Sequence, residues 1–430
     1  MLLKIFIILV FIYFYPVNFF SFPNNYQQVI PGAIANSLGG AAVAYSGEGE
    51  MAYYNPASII NIKKDGITVS ANSYGIYFMM QKNRNNAGDN IITDLLHKSE
   101  IRVIPNTMAY CFILDKKKAN PEHFLTLAIF VPSFIDIQGE DTKSDNINYR
   151  HHVKNWMFNY IYDLNLSYAY KVSDFFSFGF AIICSYGKLF QNDLLYKEDI
   201  NNPINSKMAN ESYNFKTISL GSALGVLFSF SIINIGLSFK TKKIPVYSES
   251  QYTFFISGEN PVFFNDEEVN YQRPWELYFG LAIKIIKNKF LIISDLKIYF
   301  AEKQNVAKSI LLTITYERIT ILNYNIGLEW RINSNWALRS GFFTDRSASP
   351  KLNPLEKTDI NNIKMMRYGI VAGLGYTGKN TEFIISMGYY WGSGEFKVRN
   401  INDFNTFGIT DIKCKEFLLN VGSSYWFDNR

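Results

Sequence analysis

Several long runs of this chain alternate apolar and polar side chains, and this alternation limits the fold more than any other feature. In residues 156–171, aromatic and leucine side chains take every even position, while most odd positions carry Asn, Asp, Ser or Lys. Successive side chains of a β-strand point to opposite faces, so a period of two predicts strands with one apolar face. A helix would mix the two sets around its circumference. The alternation recurs at 290–300, 322–332, 336–345 and 417–427.

The aromatic content is high for a water-soluble protein of this length. The 430 residues include 36 Phe and 29 Tyr, yet 18% of residues are charged and the mean hydropathy is −0.03. A membrane-spanning barrel accounts for both observations, since one face of each strand contacts lipid and the other faces a polar lumen. Many aromatic residues lie near strand ends, as in interfacial girdles. The sequence therefore predicts an all-β transmembrane fold, an antiparallel outer-membrane β-barrel.

Fourteen runs can be placed as strands, and such barrels have an even number of strands. Short turns fall at 287–288, 333–334 and 378–380, where neighbouring strands need tight connections. We therefore predict roughly fourteen strands, at 65–80, 101–114, 122–131, 156–171, 174–187, 213–229, 230–240, 274–286, 289–300, 321–332, 335–345, 366–376, 381–391 and 414–427.

Longer Asn-rich or charged stretches separate the strands at the other end and are interpreted as extracellular loops. These stretches are 81–100, 134–155, 188–211, 241–273, 346–364 and 393–413. Residues 308–319 also have a strand-like pattern, and we interpret them as an extracellular extension of the strand that follows. If they formed a separate wall strand, the strand number and its parity would change.

The first 22 residues have the pattern of a secretory signal peptide, with Lys4, an apolar stretch and then Pro16. An uncleaved anchor is the alternative. After residue 22, no stretch approaches the ~20 apolar residues that a transmembrane helix needs, so strands must form any membrane span.

The stretch before the first predicted strand has a different character. Residues 31–44 are rich in Gly and Ala and do not alternate, and small side chains permit the close packing that a plug inside a barrel needs. In the following Asn55, Pro56 and Ala57, Asn can cap a helix and Pro suits its first turn. A short helix packed under any fold is the alternative. We predict a signal peptide at 1–22, a plug, or hatch, at 23–62 and a transmembrane barrel at 63–430.

Charge and cysteine content argue against several classes of function. Lys and Arg exceed Asp and Glu by only 5 (42 against 37) without a long basic run, so we expect no nucleic-acid partner. The three cysteines form no CxxC pair. The four histidines, including the adjacent His151 and His152, show no metal-ligand spacing. We expect no metal site and no cofactor.

Two glycine patterns resemble enzyme motifs without their structural context. Residues 373–378 match GxGxxG, but they lead into a predicted strand turn and not into the helix N-terminus that holds phosphate. Residues 221–225 carry Ser in the second position and do not form GxSxG. A membrane phospholipase would need a Ser close to a His, whereas the histidines lie toward predicted loops. We therefore expect that the protein is not an enzyme.

Charged side chains fall on the polar face of several predicted strands. On that face they would hold the hatch by hydrogen bonds and ion pairs, or line a wet path. The first of these roles, holding the hatch, is favoured because a plugged barrel needs polar complementarity along its inner wall. These residues are Asp163, Asp295, Glu329, Arg331, Arg339 and Asp345.

Two passages resemble the FadL and toluene-transporter family of outer-membrane proteins. Residues 38–59 (LGGAAVAYSGEGEMAYYNPASI) resemble the hatch of that family, with its Gly/Ala-rich approach to Asn55, Pro56 and Ala57. Residues 335–350 (NWALRSGFFTDRSASP) resemble its Arg-x-Gly-aromatic strand followed by Asp-x-Ser-x-x-Pro. The matching positions of this family strand motif are Arg339, Gly341, Phe342, Asp345, Ser347 and Pro350.

The resemblance implies a fourteen-strand barrel plugged by a hatch, which captures apolar ligands outside and releases them through an opening in the wall. The implied function is passive uptake of hydrophobic small molecules, with long-chain fatty acids as the first expectation. The implied partners are the hydrophobic ligand, outer-membrane lipid and the barrel assembly machinery. The implied location is a Gram-negative-type outer membrane, with both termini in the periplasm. The alternative is a surface or secretion-associated barrel that displays loops without transport.

We expect the wall opening near Phe130, Pro132 and Phe134. Pro132 follows the third predicted strand, and proline lacks the N–H that would donate to a neighbouring strand. In the resembling family the third strand is kinked inward and leaves the lateral opening. The alternative is that Pro132 simply ends the strand.

Overall fold

A computed structural model describes most of the chain. The described residues are 25–62, 64–82, 97–98, 102–116, 118, 120–144, 149–258, 261–266, 273–286, 289–308, 313–355, 363–399 and 406–427. The predicted signal peptide lies outside them.

The described helices are all short. They are α1 (Ala33–Ser37) and three 3-10 helices at Gly49–Tyr53, Pro56–Ile59 and Pro203–Asn205. None of these helices has the length and apolar character that a membrane crossing requires.

Strands make up nearly all of the remaining regular structure. In chain order they are β1 (Gly66–Lys82), β2 (His97–Lys98), β3 (Arg102–Ile113), β4 (His123–Ser144), β5 (Tyr149–Lys171), β6 (Phe176–Asp199), β7 (Lys207–Ser229), β8 (Ile233–Lys240), β9 (Ile244–Ile256), β10 (Val262–Asp266), β11 (Glu276–Ile285), β12 (Phe290–Tyr299), β13 (Glu302–Lys308), β14 (Thr313–Arg318), β15 (Ile321–Arg331), β16 (Trp336–Asp345), β17 (Ile363–Thr377), β18 (Thr381–Arg399) and β19 (Phe407–Trp426).

The wall is a closed antiparallel barrel of 14 strands. The order around the ring is β1, β3, β4, β5, β6, β7, β8, β11, β12, β15, β16, β17, β18 and β19. β19 pairs back to β1 and closes the ring. β9 pairs with β7 beyond the end of β8, and β10 pairs with β9. These two strands therefore extend the wall on the side away from the short turns. The predicted fold class and strand number are confirmed, because each predicted strand overlaps one wall strand.

Side chains alternate across the wall as the sequence pattern predicts. On β19, the side chains of Phe417, Val421 and Tyr425 are 44–48% exposed, whereas Leu418 and Asn420 between them are buried. The same apolar outer face continues around the ring. A continuous outer belt of exposed apolar side chains is the surface that lipid contact requires.

Several wall strands run far past their predicted ends on the long-loop side. β4 and β5 pair as far as Ser144 and Arg150, inside the loop predicted at 134–155. The loops predicted at 188–211, 241–273 and 393–413 are likewise largely strand. These loop predictions are wrong. A strand that extends beyond the lipid belt contacts water on both faces, so its sequence lacks the apolar alternation on which the strand predictions depend. Residues 346–355 have no helix or strand, and most of 81–100 lies outside the described residues.

The described part of residues 308–319, which is Lys308 and residues 313–319, does not join the wall. β13 and β14 pair only with each other, in a separate two-stranded sheet between β12 and β15. The interpretation of this stretch as an extension of the following strand is therefore wrong. The wall strand number is unaffected.

Candidate functional site

Residues 25–62, called the N-terminal segment below, lie against the inner face of the ring. Their side chains are almost all buried, although only a few short helices occur among them. Helix α1 contacts β16 to β19 and β1, while the 3-10 helix Pro56–Ile59 contacts β4 to β7. The segment therefore touches opposite sides of the wall.

Asp295 on β12 binds the main chain of the N-terminal segment. Its Oδ2 accepts the N–H of Ala42 at 2.7 Å and the N–H of Val43 at 3.1 Å. The Asp295 side chain is fully buried. Hydrogen bonds from backbone N–H groups to a buried carboxylate are stronger than those between neutral groups. Asp295 thus fixes the position of residues 42–43 along strand β12.

Two further wall side chains bind the neighbouring carbonyl groups. Lys297 Nζ donates to the carbonyl oxygen of Gly40 at 2.7 Å, and Asn325 Nδ2 donates to that of Gly39 at 2.6 Å. Both also donate to Gln27 Oε1, at 3.2 and 2.7 Å. The stretch 39–43 is therefore held by charged and amide groups from two adjacent wall strands.

Inward-facing glycines let the main chain of the N-terminal segment lie directly on the wall. Gly236 on β8 and Gly280 on β11 are cross-strand neighbours, and a Cβ at Gly280 would lie 2.7 Å from the Cβ of Val43. No side chain fits there without moving the segment. Glycines in the same situation, where a Cβ would come within 2.8 Å of the segment, are Gly179, Gly225, Gly236, Gly280, Gly327, Gly341, Gly373 and Gly422. Sequence reasoning missed this set; its only signal is a glycine at an inward position of an alternating strand.

Asn55 joins two parts of the segment to the wall. Its Oδ1 accepts the N–H of Ala57 at 3.0 Å, which caps the 3-10 helix that begins at Pro56. Its Nδ2 donates to the carbonyl oxygens of Val43 at 3.1 Å and of Val226 on β7 at 3.0 Å. One buried amide therefore connects the helix start, the stretch near residue 43 and β7.

Arg339 of the family strand motif lies at the centre of a buried ion cluster. Its guanidinium contacts Glu329 at 2.8 Å and Glu382 at 3.3 Å. Glu329 also accepts a hydrogen bond of 3.3 Å from the Tyr45 hydroxyl. The cluster thus links three wall strands to the N-terminal segment.

The other motif residues lie along the same strip of wall. Gly341 faces the main chain at residues 38–39, and Asp345 Oδ1 accepts the N–H of Gln27 at 3.1 Å. Ser347 is buried and Pro350 is half-buried in the following stretch. Of the predicted inward charges, Asp163 instead pairs with Lys243 at 2.6 Å. Gly341 and Asp345 therefore touch the N-terminal segment directly, and Arg339 is linked to it through Glu329.

A cavity of about 510 Å³ lies at the short-turn end of the ring. Its lining includes Tyr45 and Glu48 of the segment, Arg331 and Arg339 of the wall, and Lys64 before β1. These side chains are mostly polar or charged, so the cavity is suited to water.

The pairing of β3 with β4 is interrupted in the middle of the wall. Among the described residues, their ladder ends at the pair Thr107–Phe130. Beyond that pair, β3 continues beside β1 and β4 continues beside β5. The pairing of β4 with β5 is also irregular between Phe130 and Ser133, and Pro132 lies in that irregularity. The two strands therefore separate where the sequence places Phe130, Pro132 and Phe134.

A buried apolar cluster, called the window cluster below, lies where β3 and β4 separate. It consists of Val29, Ile104, Met108, Val131 and Phe134. Val29 belongs to the N-terminal segment and the other four to the two strands. The neighbouring Gln28 accepts a hydrogen bond of 2.7 Å from the Ser133 hydroxyl. The start of the segment thus covers the inner side of this gap.

Glu50 stabilises the fold of the segment itself. Its carboxylate accepts the N–H groups of Ala33 at 2.9 Å and of Ala35 at 3.1 Å, at the start of α1. Burial raises the pKa of Glu50 to about 7, although these N–H donors act in the opposite direction. The charge state of this carboxyl group therefore changes near neutral pH.

The described residues give little support to metal or phosphate chemistry. Residues 373–377 lie on β17, which leads through a short turn to β18, so the GxGxxG match has no helix N-terminus. Asp115, Glu122 and His123 come close enough to share an ion. Lys118 Nζ already lies 2.8 Å from Glu122 and 3.7 Å from Asp115, and this ammonium group supplies the cation there.

The chain thus belongs to the closed 14-stranded antiparallel β-barrels whose own N-terminal segment packs against the inner wall. No family model and no curated protein matches the chain. Solved structures do match, and they confirm at the level of fold the resemblance to FadL homologues and toluene transporters.

Three of these structures illustrate the likeness. A Pseudomonas aeruginosa FadL homologue is 13% identical, with a TM-score of 0.66 over 94% of this chain and 100% of that chain. The P. putida toluene transporter TodX is 12% identical, with a TM-score of 0.63 over 93% of this chain and 99% of that chain. The Ralstonia pickettii toluene transporter TbuX is 15% identical, with a TM-score of 0.61 over 92% of this chain and 98% of that chain.

Proposed function

We propose that this protein mediates passive uptake of hydrophobic small molecules across an outer membrane. The observation that carries the proposal is the apolar gap between β3 and β4, beyond the pair Thr107–Phe130. An opening in the wall at the level of the outer apolar belt gives an apolar solute a lateral route into the lipid that avoids water.

The chemistry of the route requires no catalytic group. Apolar burial yields ~25 cal/mol per Å², so covering roughly 350 Å² of ligand surface gives ~9 kcal/mol before the costs of association. Micromolar binding corresponds to a net ~8 kcal/mol, so a ligand that buries more than this area can reach it after the costs of association. In the closed arrangement Val29 fills the window cluster, and ligand release requires this side chain and its neighbour Gln28 to move.

We propose long-chain fatty acids as the first ligand class and monoaromatic hydrocarbons as the second. The first follows from the family resemblance of the sequence motifs. The second is supported by the names of structural neighbours, which include toluene transporters and a monoaromatic hydrocarbon channel. In this arrangement the short-turn end and both termini face the periplasm, and the long strand extensions face outward.

Uptake in cells tests the function directly. A strain without the gene and its parent are compared for uptake of labelled oleate and of labelled toluene. We expect the deletion to lower uptake of one of the two, and the chain restored on a plasmid to recover it. Unchanged uptake of both ligands would favour the alternative, a barrel whose long strand extensions serve display.

A reversible crosslink tests the route. The variant Val29→Cys with Val131→Cys joins two members of the window cluster, while each single variant serves as the matched control and accounts for Cys111, Cys184 and Cys414. We expect oxidation of the double variant to block uptake and a reductant to restore it. If the oxidised double variant transports as well as the single variants, the route does not pass this gap.

A further inference from the structure

The outer face of β16 to β19 carries a continuous aromatic strip. Phe342 and Tyr368 stack with ring centroids 6.4 Å apart, and Tyr368 and Trp391 follow at 6.0 Å. Trp391 and Tyr389 lie 5.6 Å apart, and Tyr389 and Phe417 lie 4.8 Å apart. Aromatic rows of this kind mark the border between the hydrocarbon and the headgroups of a bilayer.

Two lysines of β19 follow this strip on the side away from the short turns. Lys415 lies directly opposite Trp391 in the ladder, and Lys413 lies opposite Ser393. Both lysines are exposed, whereas Cys414 between them is buried. The two ammonium groups therefore extend outward from the same face, about 7 Å apart along the strand.

The position of Lys415 along β19 matches the edge of a lipid belt. From Tyr425 to Lys415 the strand advances ten residues. At about 3.4 Å per residue and a tilt of about 40°, this spans about 26 Å of bilayer normal, and the apolar band of such barrels is about 25 Å tall. Lys415 and Lys413 thus lie at headgroup level, while Phe417 is the last belt residue of this strand.

The charges around these two lysines do not balance. Lys364 on β17 lies opposite Glu395, which lies opposite Asp411, so this next row carries two carboxylates and one lysine. Within the described part of the chain, neither Lys413 nor Lys415 has a carboxylate within ion-pair distance. The set of three lysines and two carboxylates keeps a net positive charge, with both β19 lysines nearest to the belt.

Another outward lysine shows the contrast. Lys216 on β7 is paired with Glu249 on β9 at 3.2 Å, so its charge is satisfied by the protein. No described carboxylate pairs in this way with Lys413 or Lys415, so both ammonium groups are available to an external anion.

We propose that Lys413 and Lys415 bind the phosphate groups of a phosphorylated glycolipid in the outward leaflet, with its acyl chains on the aromatic strip. The proposal rests on the outer-membrane location given under the proposed function. The ligand class follows from three features: two cations at headgroup level, a Trp ring beside them and an apolar belt below. A neutral lipid would satisfy the belt but leave the cations unpaired.

Lipid binding to the full-length purified chain tests the proposal. Native mass spectrometry in a neutral detergent measures binding of bisphosphorylated lipid A, of the same lipid after removal of its phosphates, and of phosphatidylcholine. The test variant is Lys413→Gln with Lys415→Gln. The matched control is Lys284→Gln with Lys289→Gln, which removes two lysines at the opposite, short-turn rim of β11 and β12.

We expect the native protein to prefer the phosphorylated lipid. The β19 double variant should bind it about 25-fold more weakly, since each lysine at a membrane surface changes binding about fivefold. The control variant should bind it nearly as well as the native protein. Inorganic phosphate at millimolar concentration should not displace the lipid, because the belt contributes to binding.

Several outcomes would overturn the proposal: equal binding of the dephosphorylated lipid, equal loss in both double variants, or displacement by inorganic phosphate alone. Uptake of oleate and toluene is also measured for the β19 double variant, so that failure of the lipid site can be distinguished from failure of the proposed uptake function. Lost lipid preference with normal uptake supports this site alone, and retained lipid preference with no transport by the native chain rejects only the uptake function.

Discussion

Replacing Gly280 by alanine should release the N-terminal segment from the wall while the barrel remains intact. A Cβ at this position would lie 2.7 Å from the Cβ of Val43, 2.8 Å from the nitrogen of Ala44 and 2.9 Å from Oδ1 of Asp295. Ordinary contact begins near 3.4 Å, so the segment must move by about 0.7 Å. The wall is paired on both sides of Gly280 and cannot move as easily.

This displacement also affects the nearest hydrogen bonds. The bond between the N–H of Val43 and Asp295 is already 3.1 Å long, and a shift of 0.7 Å away from the wall would break it. Overpacking costs about 1–3 kcal/mol, and one lost hydrogen bond to a buried carboxylate adds about 1.5 kcal/mol. We therefore expect docking of the segment to weaken by about 2.5–4.5 kcal/mol, which raises the undocked population roughly 70- to 2,000-fold.

Hydrogen exchange followed by mass spectrometry measures this effect. Backbone amides of residues 38–44 should exchange faster in Gly280→Ala, whereas amides of β17 and β18 should not change. Gly187→Ala on β6 is the matched control, since the nearest atom to its new Cβ is Thr217 Cγ2 at 3.3 Å and no atom of the segment lies close. Adding Val43→Gly to Gly280→Ala removes the closest contact and should restore part of the protection.

Two results would refute this reasoning. Unchanged exchange at residues 38–44 would mean that the wall, and not the segment, absorbs the added methyl group. Equal loss of protection in the segment and in the wall strands, without rescue by Val43→Gly, would mean that Gly280 serves barrel assembly and not segment docking.

Three further changes have defined outcomes. Asn55→Ala should cost about 0.5–2 kcal/mol of segment stability through the lost cap, with altered transport in an assembled barrel; equal loss of assembly and uptake, measured by heat-modifiable migration and labelled oleate, would show a folding role only. Because the pKa of Glu50 is raised to about 7, its carboxyl destabilises the docked segment increasingly as pH rises from about 4.5 to 7. Proteolysis between residues 40 and 50 should therefore be faster at pH 8 than at pH 5, and Glu50→Gln should reduce that difference; a difference as large as that of the native chain contradicts the assignment. Arg339→Gln should destabilise the protein by about 3–5 kcal/mol because Glu329 and Glu382 lose their buried cation, and a melting temperature equal to that of the native chain would exclude such a role.

The wall could be predicted from the sequence because lipid and lumen impose opposite requirements on alternate residues. Residues 417–425 show this directly, with exposed aromatic and aliphatic side chains between buried ones. The same logic fails above the belt. The paired stretch up to Ser144 and Arg150 carries no apolar face, so its sequence is indistinguishable from a polar loop.

The contacts between the N-terminal segment and the wall could not be predicted from the sequence. Gly280 and Asp295 are recognisable as inward positions, but nothing near them in sequence indicates that residues 42–44 lie there. Contacts between residues about 250 positions apart leave no local pattern in a single sequence. The gap beyond Phe130 had a local signal, because Pro132 cannot donate to a ladder. The opening of that gap to ligands stays a prediction.

The docking of the first described residues against late strands has a consequence for biogenesis. The Asn25 side chain donates to the carbonyl oxygen of Asp345, 320 positions later, and Ser386 bonds to Asn36 across 350 positions. Interactions of such sequence separation form late and slowly. The segment therefore lacks part of its docking surface until β16 and β18 are in place. A chain halted after β12 would lack the strands that receive Asn25 and most of helix α1, so its N-terminal residues should be more accessible to protease than those of the complete chain.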